Sequence, residues 1–362
     1  MTLDEALNRP DNNLTSVRLI AAAMVLFSHS FVMNKVVQNE PLARFTSGIV
    51  DCATLGVAFF FTISGLLVTK SYCEHGQLKR FFLNRSLRIF PAYGMALLLT
   101  ACLFGAIVTT LPLVEYFSAK ETWQYVYTQF AMRADATREL PGVFSSVPLA
   151  RMVNGSLWTI RVEFKLYLIT AFLGWMAIVQ TREVFNAFAL ILLVASVMTG
   201  SIPILEWDRF STLYAGCYLL GAFLYVNRRH IPLTPWIAIL FIAAAYFTAG
   251  KPAGRWWLFI AISYGAILLS LWTPIVFGKL KNDYSYGTYL YAFPIQQMLI
   301  DKWGHWNPWV HAPVALLVTS VFAWMSWHYV EHPMLRFRSK SGKNLDDGQN
   351  LETTPVMILK RK

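Results

Sequence analysis

The feature that most constrains this chain is an apolar segment, residues 14–33, LTSVRLIAAAMVLFSHSFVM, which carries Arg18 and His29. As a helix, this segment separates the two residues by roughly 16 Å along the axis and places them within roughly 20° of each other around it. Ionisable residues in a membrane helix usually face the protein interior or a watery cavity, because a charge in lipid costs about 2.5–3.5 kcal/mol. The spacing therefore indicates one functional face. The alternatives are a snorkelling arginine and a packing histidine.

The rest of the chain is equally apolar. Of its 362 residues, 56% are hydrophobic and only 14% are charged. This composition excludes an ordinary soluble domain and predicts an all-α polytopic membrane protein. The hydropathy pattern predicts ten spans, at about 14–33, 46–69, 89–114, 157–179, 184–204, 210–227, 233–249, 256–277, 285–303 and 311–330. Pro91 would then lie in the first turn of the third span.

The basic residues distribute by membrane side. With both termini in the cytoplasm, 19 Lys and Arg fall on inner segments and 10 on outer loops. This bias predicts cytoplasmic termini. It also explains the net charge of +11 without nucleic-acid binding. The first span lacks a small-residue cleavage site, so we expect a signal anchor. We predict an integral-membrane domain over residues 1–338 and a polar, disordered cytoplasmic tail over residues 339–362.

Glu163 is the carboxylate at the depth that matches His29. Under this topology, both residues lie about five or six positions from the outer ends of their spans. A neutral imidazole is a general base near pH 7, and a neighbouring carboxylate fixes its tautomer and stabilises the imidazolium. The alternative is a structural ion pair, but Arg161 and Lys165 lie on the far side of the Glu163 helix. We therefore predict that His29 and Glu163 form a catalytic pair.

Arg85 and Arg88 are candidates for binding a phosphate-rich donor on the cytoplasmic side. Their spacing of three residues lets both guanidinium groups point the same way, and guanidinium forks suit phosphate. Ordinary positive-inside topology explains basic residues here equally well. Ser64 is a further candidate for the donor site, although a serine beside Gly65 also suits close helix packing.

The longest polar stretch, residues 115–155, contains the aromatic segment TWQYVYTQFAM, which could lie in the membrane interface. Long loops are often functional, so this stretch is our candidate for contact with an acceptor. The sequence has no HExxH or HxxxxD motif and no cysteine pattern typical of a metal site or a disulfide framework. We therefore expect no metal.

Six motifs occur in the order of one known family. They are Arg18-x10-His29, FFFTISGLL (59–67), RSLRIFPAY (85–93), GSLWTIRVEFKLYLI (155–169), YSYGTYLYAFPI (284–295) and VEHPMLRF (330–337). With these motifs, residues 12–338 resemble the membrane-bound acyltransferase-3 family, bacterial O-acyltransferases of surface glycans and some small metabolites. Family members often have a histidine where this chain has Ala292.

The resemblance implies a ten-helix core in the bacterial inner membrane, here without a fused esterase-like domain. It implies transfer of an acyl group, usually acetyl, from cytoplasmic acyl-CoA to a hydroxyl on the other side. The acceptor would be a surface glycan or a lipid-linked oligosaccharide. By similarity, His29 and Glu163 take the catalytic positions, and Arg18, Arg85 and Arg88 take the donor-side positions. A proton-coupled transporter or flippase that uses Arg18, His29 and Glu163 as a relay is the alternative.

Overall fold

A computed structural model describes residues 1–199, 209–272 and 280–337. The described part is helical throughout, and its only bridge between extended residues joins Thr2 to Pro232. The predicted tail, residues 339–362, lies outside the described residues. So do residues 200–204 and 273–277 of two predicted spans.

Ten long helices occupy the described part of the chain. They are α1 (Leu14–Met33), α2 (Cys52–His75), α3 (Leu78–Val108), α4 (Trp158–Trp175), α5 (Arg182–Thr199), α6 (Arg209–Val226), α7 (Pro235–Phe247), α8 (Pro252–Leu271), α9 (Ser285–Trp303) and α10 (Pro308–Phe337). Shorter helices span Leu3–Leu7, Val37–Asn39, Pro41–Phe45, Leu113–Ser118 and Lys120–Phe130.

Within the described residues, the four helices α1, α2, α3 and α10 are long and apolar enough to cross a membrane. Three shorter apolar helices lie within α6, α7 and α8, at Ser211–Val226, Pro235–Phe247 and Trp256–Leu271. These helices bear out a multi-pass, all-helical membrane protein. The count of ten crossings and the side of the termini remain predictions.

Helix α3 begins earlier than the hydropathy pattern indicates. It starts at Leu78, so Pro91 lies inside the helix and not in its first turn. The early turns contain Lys79, Arg80, Arg85 and Arg88. Because these residues have low hydropathy, the predicted span begins only at residue 89. Because α3 continues through Arg85 and Arg88, these two side chains are held by regular helix and not by a loop.

The core of the bundle forms where α2 packs against α6 and α1, and where α9 packs against α1 and α10. Glycines permit the closest of these approaches. Gly65 of α2 lies against the Tyr218 carbonyl group of α6, and Gly221 of α6 lies against the Thr62 carbonyl group of α2. The small-residue notch at residues 64–65 thus serves helix packing through its glycine, which leaves the Ser64 hydroxyl free for other contacts.

Residues 152–157, just before α4, run inside the bundle without regular helix. Asn154 Nδ2 donates a hydrogen bond to the Leu290 carbonyl at 2.9 Å, and Gln297 Nε2 donates to the Met152 carbonyl at 2.9 Å. Irregular backbone within a membrane domain must find such partners, because lipid offers none. Helix α4 therefore starts deep in the bundle and not at its surface.

Candidate active site

Five of the six predicted site residues line one cavity, which we call the arginine cavity: Arg18, Ser64, Arg85, Arg88 and Glu163. The cavity measures about 100 Å³, which is room for several water molecules. Helices α1, α2, α3, α4 and α9 form its walls. Residues up to 145 positions apart in the sequence thus line the same polar cavity.

Glu163 is bound on its own side of this cavity. Its Oε1 accepts hydrogen bonds from Ser64 Oγ and from the Tyr167 hydroxyl, both at 2.6 Å. The two hydroxyl groups are 3.3 Å apart, so the three side chains form a closed triangle. Tyr167 lies one turn along α4 from Glu163, which explains how a single helix holds both groups.

Arg18 and Arg88 share a carboxylate that the sequence analysis did not single out. Both guanidinium groups contact Asp283 Oδ2 at 2.6 Å. Arg88 also lies 3.6 Å from the buried Glu331 carboxylate. Asp283 stands immediately before the YSYGTYLYAFPI motif, and under the predicted topology it lies on the same side as both arginines. That shared side was the signal that could have identified it.

The environment of Asp283 determines its charge. Burial alone raises the pKa of this carboxyl, but Arg18 and Arg88 outweigh burial, and hydrogen bonds from the Ser285 hydroxyl and amide act in the same direction. The resulting pKa lies below the ordinary aspartate value, so Asp283 is ionised at neutral pH. The cluster therefore sets one ionised carboxylate, Asp283, between two guanidinium groups, with the buried Glu331 beside Arg88.

Arg85 differs from the other two arginines of the cavity. Among the described residues it has no ion pair or hydrogen bond, and its Nε is buried without a partner. Its guanidinium carbon lies 5.9 Å from the centre of the Tyr167 ring. Because this half-buried guanidinium has no counter-ion among the described residues, Arg85 is the residue of the arginine cavity most suited to an anionic ligand.

His29 lies outside the arginine cavity. Its ring packs edge-on against Phe293 of α9, with 5.3 Å between ring centres. Its Nδ1 is buried and has no hydrogen-bond partner among the described residues. Since Arg18 and His29 lie on one continuous helix, they are separated by roughly 16 Å of rise.

The predicted direct pair of His29 and Glu163 is not formed. Glu163 accepts a hydrogen bond from Ser64 of α2. Ser64 lies one helical turn from Phe60, and the Phe60 ring lies under the Arg18 guanidinium. Glu163 therefore lies at the Arg18 end of α1 and not at the His29 end. The hydropathy pattern predicts that α4 begins at the membrane surface, whereas the residues just before it are already buried, so Glu163 lies deeper than predicted.

Within the described residues, no group of three or more His, Cys, Asp or Glu side chains is arranged to hold a metal ion. The polar groups described above are the His29 imidazole, the Glu163 carboxylate with its two hydroxyl donors, and three guanidinium groups, two of which are paired with Asp283. Such a set can bind an anion and move a proton.

Comparisons with known proteins agree with this inventory. The family described as an acyltransferase domain matches residues 11–328. An O-acetyl transferase of Shigella phage Sf6 is 31% identical, over 92% of this chain and 98% of the relative. Nodulation protein 10 of Rhizobium leguminosarum bv. viciae is 30% identical, over 91% of this chain and 94% of the relative. No solved structure is significantly similar to the chain.

Proposed function

This chain belongs to the acyltransferase-3 family, and we propose that it transfers an acetyl group from cytoplasmic acetyl-CoA to a hydroxyl of an extracytoplasmic glycan. The observation that carries this proposal is the arrangement along α1. The arginine cavity, in which Arg85 has no ion pair among the described residues, lies at one end of the helix, and His29 lies roughly 16 Å towards the other end. The name of the phage relative supports acetyl as the group transferred.

The proposed topology has ten crossings of the bacterial inner membrane, with both termini in the cytoplasm. The excess of Lys and Arg on the inner segments supports this orientation. It places the arginine cavity on the cytoplasmic side, where acyl-CoA is present, and it places His29 towards the outer surface. Donor and acceptor would then approach His29 from opposite sides of the membrane.

The donor would bind with its phosphates at Arg85. Arg18 and Arg88 are already paired with Asp283, so we assign them to the cavity wall and Arg85 to the phosphates. The pantetheine arm is thin and carries amide groups, and Ser64 and Glu163 offer it polar partners on the cavity wall. The arm would extend along α1 and bring the thioester to His29.

At His29 the reaction is a general-base acyl transfer. The imidazole removes the proton from the acceptor hydroxyl, and that oxygen attacks the thioester carbonyl carbon. The carbon–sulfur bond breaks, and the imidazolium returns the proton to the departing thiolate. Proton transfer of this kind contributes typically about 10²- to 10⁴-fold to the rate.

The acceptor would contact the segment that precedes α4. Gly155 in this segment lies against Phe293, whose ring packs on His29, so one side chain separates the segment from the proposed catalytic histidine. The helix Lys120–Phe130 exposes Trp123, Tyr127 and Phe130, which are suited to a membrane interface or to a sugar. An exopolysaccharide, an O-antigen or a lipid-linked oligosaccharide would be an acceptor of this kind.

The test uses purified full-length protein, acetyl-CoA labelled in the acetyl group, and a glycan extract of the bacterial envelope. The proposal expects labelled glycan and free CoA thiol, without any proton gradient. The same protein in sealed vesicles distinguishes the alternative. If no acetyl group is transferred and a glycan intermediate crosses the vesicle membrane only with a gradient, the protein is a proton-coupled transporter or flippase.

A further inference from the structure

The catalytic histidine needs an acceptor for the proton on its second ring nitrogen. A general-base imidazole is usually oriented by a carboxylate, which fixes the tautomer and stabilises the cation that forms. Glu163 does not fill this role, because Ser64 and Tyr167 hold it at the far end of α1. His29 Nδ1 is nevertheless buried without a partner. A group near the His29 end of α1 is therefore required.

The packing register of α1 and α2 identifies the position opposite His29. Gly56 of α2 lies directly against the Ala21 carbonyl and the Val25 side chain of α1. Further along, Phe60 lies against Arg18. The two helices are thus antiparallel, and paired residue numbers add up to about 80. One turn further outward, His29 faces the first turn of α2, where Asp51 caps the helix.

Asp51 uses only one of its two carboxylate oxygens to cap α2. Its Oδ1 accepts from the Thr54 amide at 2.6 Å and caps α2, while Oδ2 has no hydrogen bond to a described residue. Among the described residues, Asp51 is also the carboxylate near enough for its charge to act on His29. The carboxylate of the neighbouring Glu40 already accepts hydrogen bonds from the backbone amides of Ala43 and Cys52, so it does not serve His29.

We propose that Asp51 is the positioning residue for His29, with its free oxygen accepting the ring N–H through one bridging water. A water bridge fits the helix register, which sets Asp51 opposite His29, together with the absence of a direct hydrogen bond between the two side chains. Asp51 thus has two roles, as the N-cap of α2 and as the anion that stabilises the imidazolium. The inference rests on the proposed function, because it assigns a partner to the general base of that reaction.

The test separates the two roles of Asp51. Asn caps a helix about as well as Asp, so Asp51→Asn keeps the cap and removes the charge. Acetyl transfer from labelled acetyl-CoA is measured for the purified wild type and for Asp51→Asn, Asp51→Glu and Glu40→Gln. Glu40→Gln is the matched control, because it removes a second buried carboxylate beside the same helix end.

A positioning role predicts a fall in kcat of about 10- to 100-fold for Asp51→Asn, with an unchanged KM for acetyl-CoA and an unchanged melting temperature. Asp51→Glu should recover part of the loss, and Glu40→Gln should keep its kcat. Full activity of Asp51→Asn beside an active wild type overturns this inference and leaves the proposed function intact. Equal loss in Asp51→Asn and Glu40→Gln also overturns it. A wild type that transfers no acetyl group instead overturns the proposed function, and with it this assignment.

Discussion

The Ser64 hydroxyl donates a hydrogen bond to Glu163 Oε1 at 2.6 Å, and this contact between α2 and α4 fixes the depth of the carboxylate. It places Glu163 in the arginine cavity, close to the level of Arg18. The carboxylate that resembles the catalytic partner in sequence therefore lines the proposed donor site in the fold. In the proposed reaction, donor binding and proton transfer therefore take place at opposite ends of α1.

This position predicts how Glu163→Gln changes the kinetics. Gln can still accept from Ser64 and Tyr167, but it loses the negative charge at the cavity. The KM for acetyl-CoA should change by about 3- to 10-fold, while kcat should fall much less than in His29→Ala. Steady-state kinetics of the purified variants provide the measurement. A loss of kcat as large as that of His29→Ala, at unchanged KM, would show that Glu163 acts in proton transfer.

Arg85 and Arg88 should respond differently to the same substitution. Arg85→Gln removes a charge that has no partner, so it should leave the melting temperature unchanged and weaken acetyl-CoA binding by about 10- to 100-fold. Arg88→Gln leaves Glu331 without its ion pair and Asp283 with one guanidinium, so it should cost about 3–5 kcal/mol of stability. Calorimetric binding and thermal unfolding in detergent distinguish the two. If Arg85→Gln binds acetyl-CoA like the wild type, the phosphate assignment is wrong.

The lowered pKa of Asp283 predicts that the fold loses stability at acid pH. Its pKa in the fold lies below the value of about 3.9 expected for an unfolded chain, so its ionised form stabilises the fold above that value. This contribution is lost as the pH falls below about 4 and towards the lowered pKa. Thermal unfolding of the wild type and Asp283→Asn should differ strongly at pH 7 and less at pH 3.

A matched control for this prediction is Asp135→Asn, since Asp135 pairs with Arg133 on an exposed loop, where its side chain is 69% accessible. That variant should resemble the wild type at both pH values. A difference between the wild type and Asp283→Asn that stays constant from pH 7 to pH 3 would contradict an ionised Asp283.

Two glycines of α6 test the close packing of α2 and α6. A Cβ at Gly221 would meet the Thr62 carbonyl, whereas a Cβ at Gly216 would meet no atom within 4 Å. Gly221→Ala should therefore destabilise the fold by about 1–3 kcal/mol through overpacking. Gly216→Ala should be neutral or slightly stabilising, because alanine favours helix. Equal melting temperatures for the two variants would mean that the helices are not in this close contact.

The sequence predicted the helical membrane fold well because long apolar runs and basic flanks are local signals. Helix α1 was predicted at the bounds it has in the structure, since its apolar run ends abruptly on both sides. The start of α3 was wrong by about eleven residues, because its first turns are basic and hydropathy reports lipid exposure and not helix. Arg18, Ser64, Arg85 and Arg88 were predicted to share the donor site, and they do line one cavity. Glu163 was predicted beside His29 and lines this cavity instead.

The pairing of residues within that site could not be predicted. Depth was counted along each span from an assumed surface, and the buried segment before α4 breaks that assumption. Asp283 compensates two arginines that are 70 positions apart, a relationship that arises only once α1, α3 and α9 pack together. The contact between Asn154 and Leu290, which draws the segment into the bundle, is likewise long-range and leaves no periodic signal in the sequence.

The central claim is that His29 is the base of a transfer reaction across the membrane. The most direct measurement is mass spectrometry of surface glycans from a deletion strain that carries the wild type, His29→Ala or His311→Ala, each at equal protein level. His311 is a second buried histidine, bonded to Asn34, and it controls for the loss of a packed imidazole. If His29 is the base, we expect an acetyl mass increment with the wild type and with His311→Ala, but none with His29→Ala. A full increment with His29→Ala would contradict the account and reduce His29 to a packing residue.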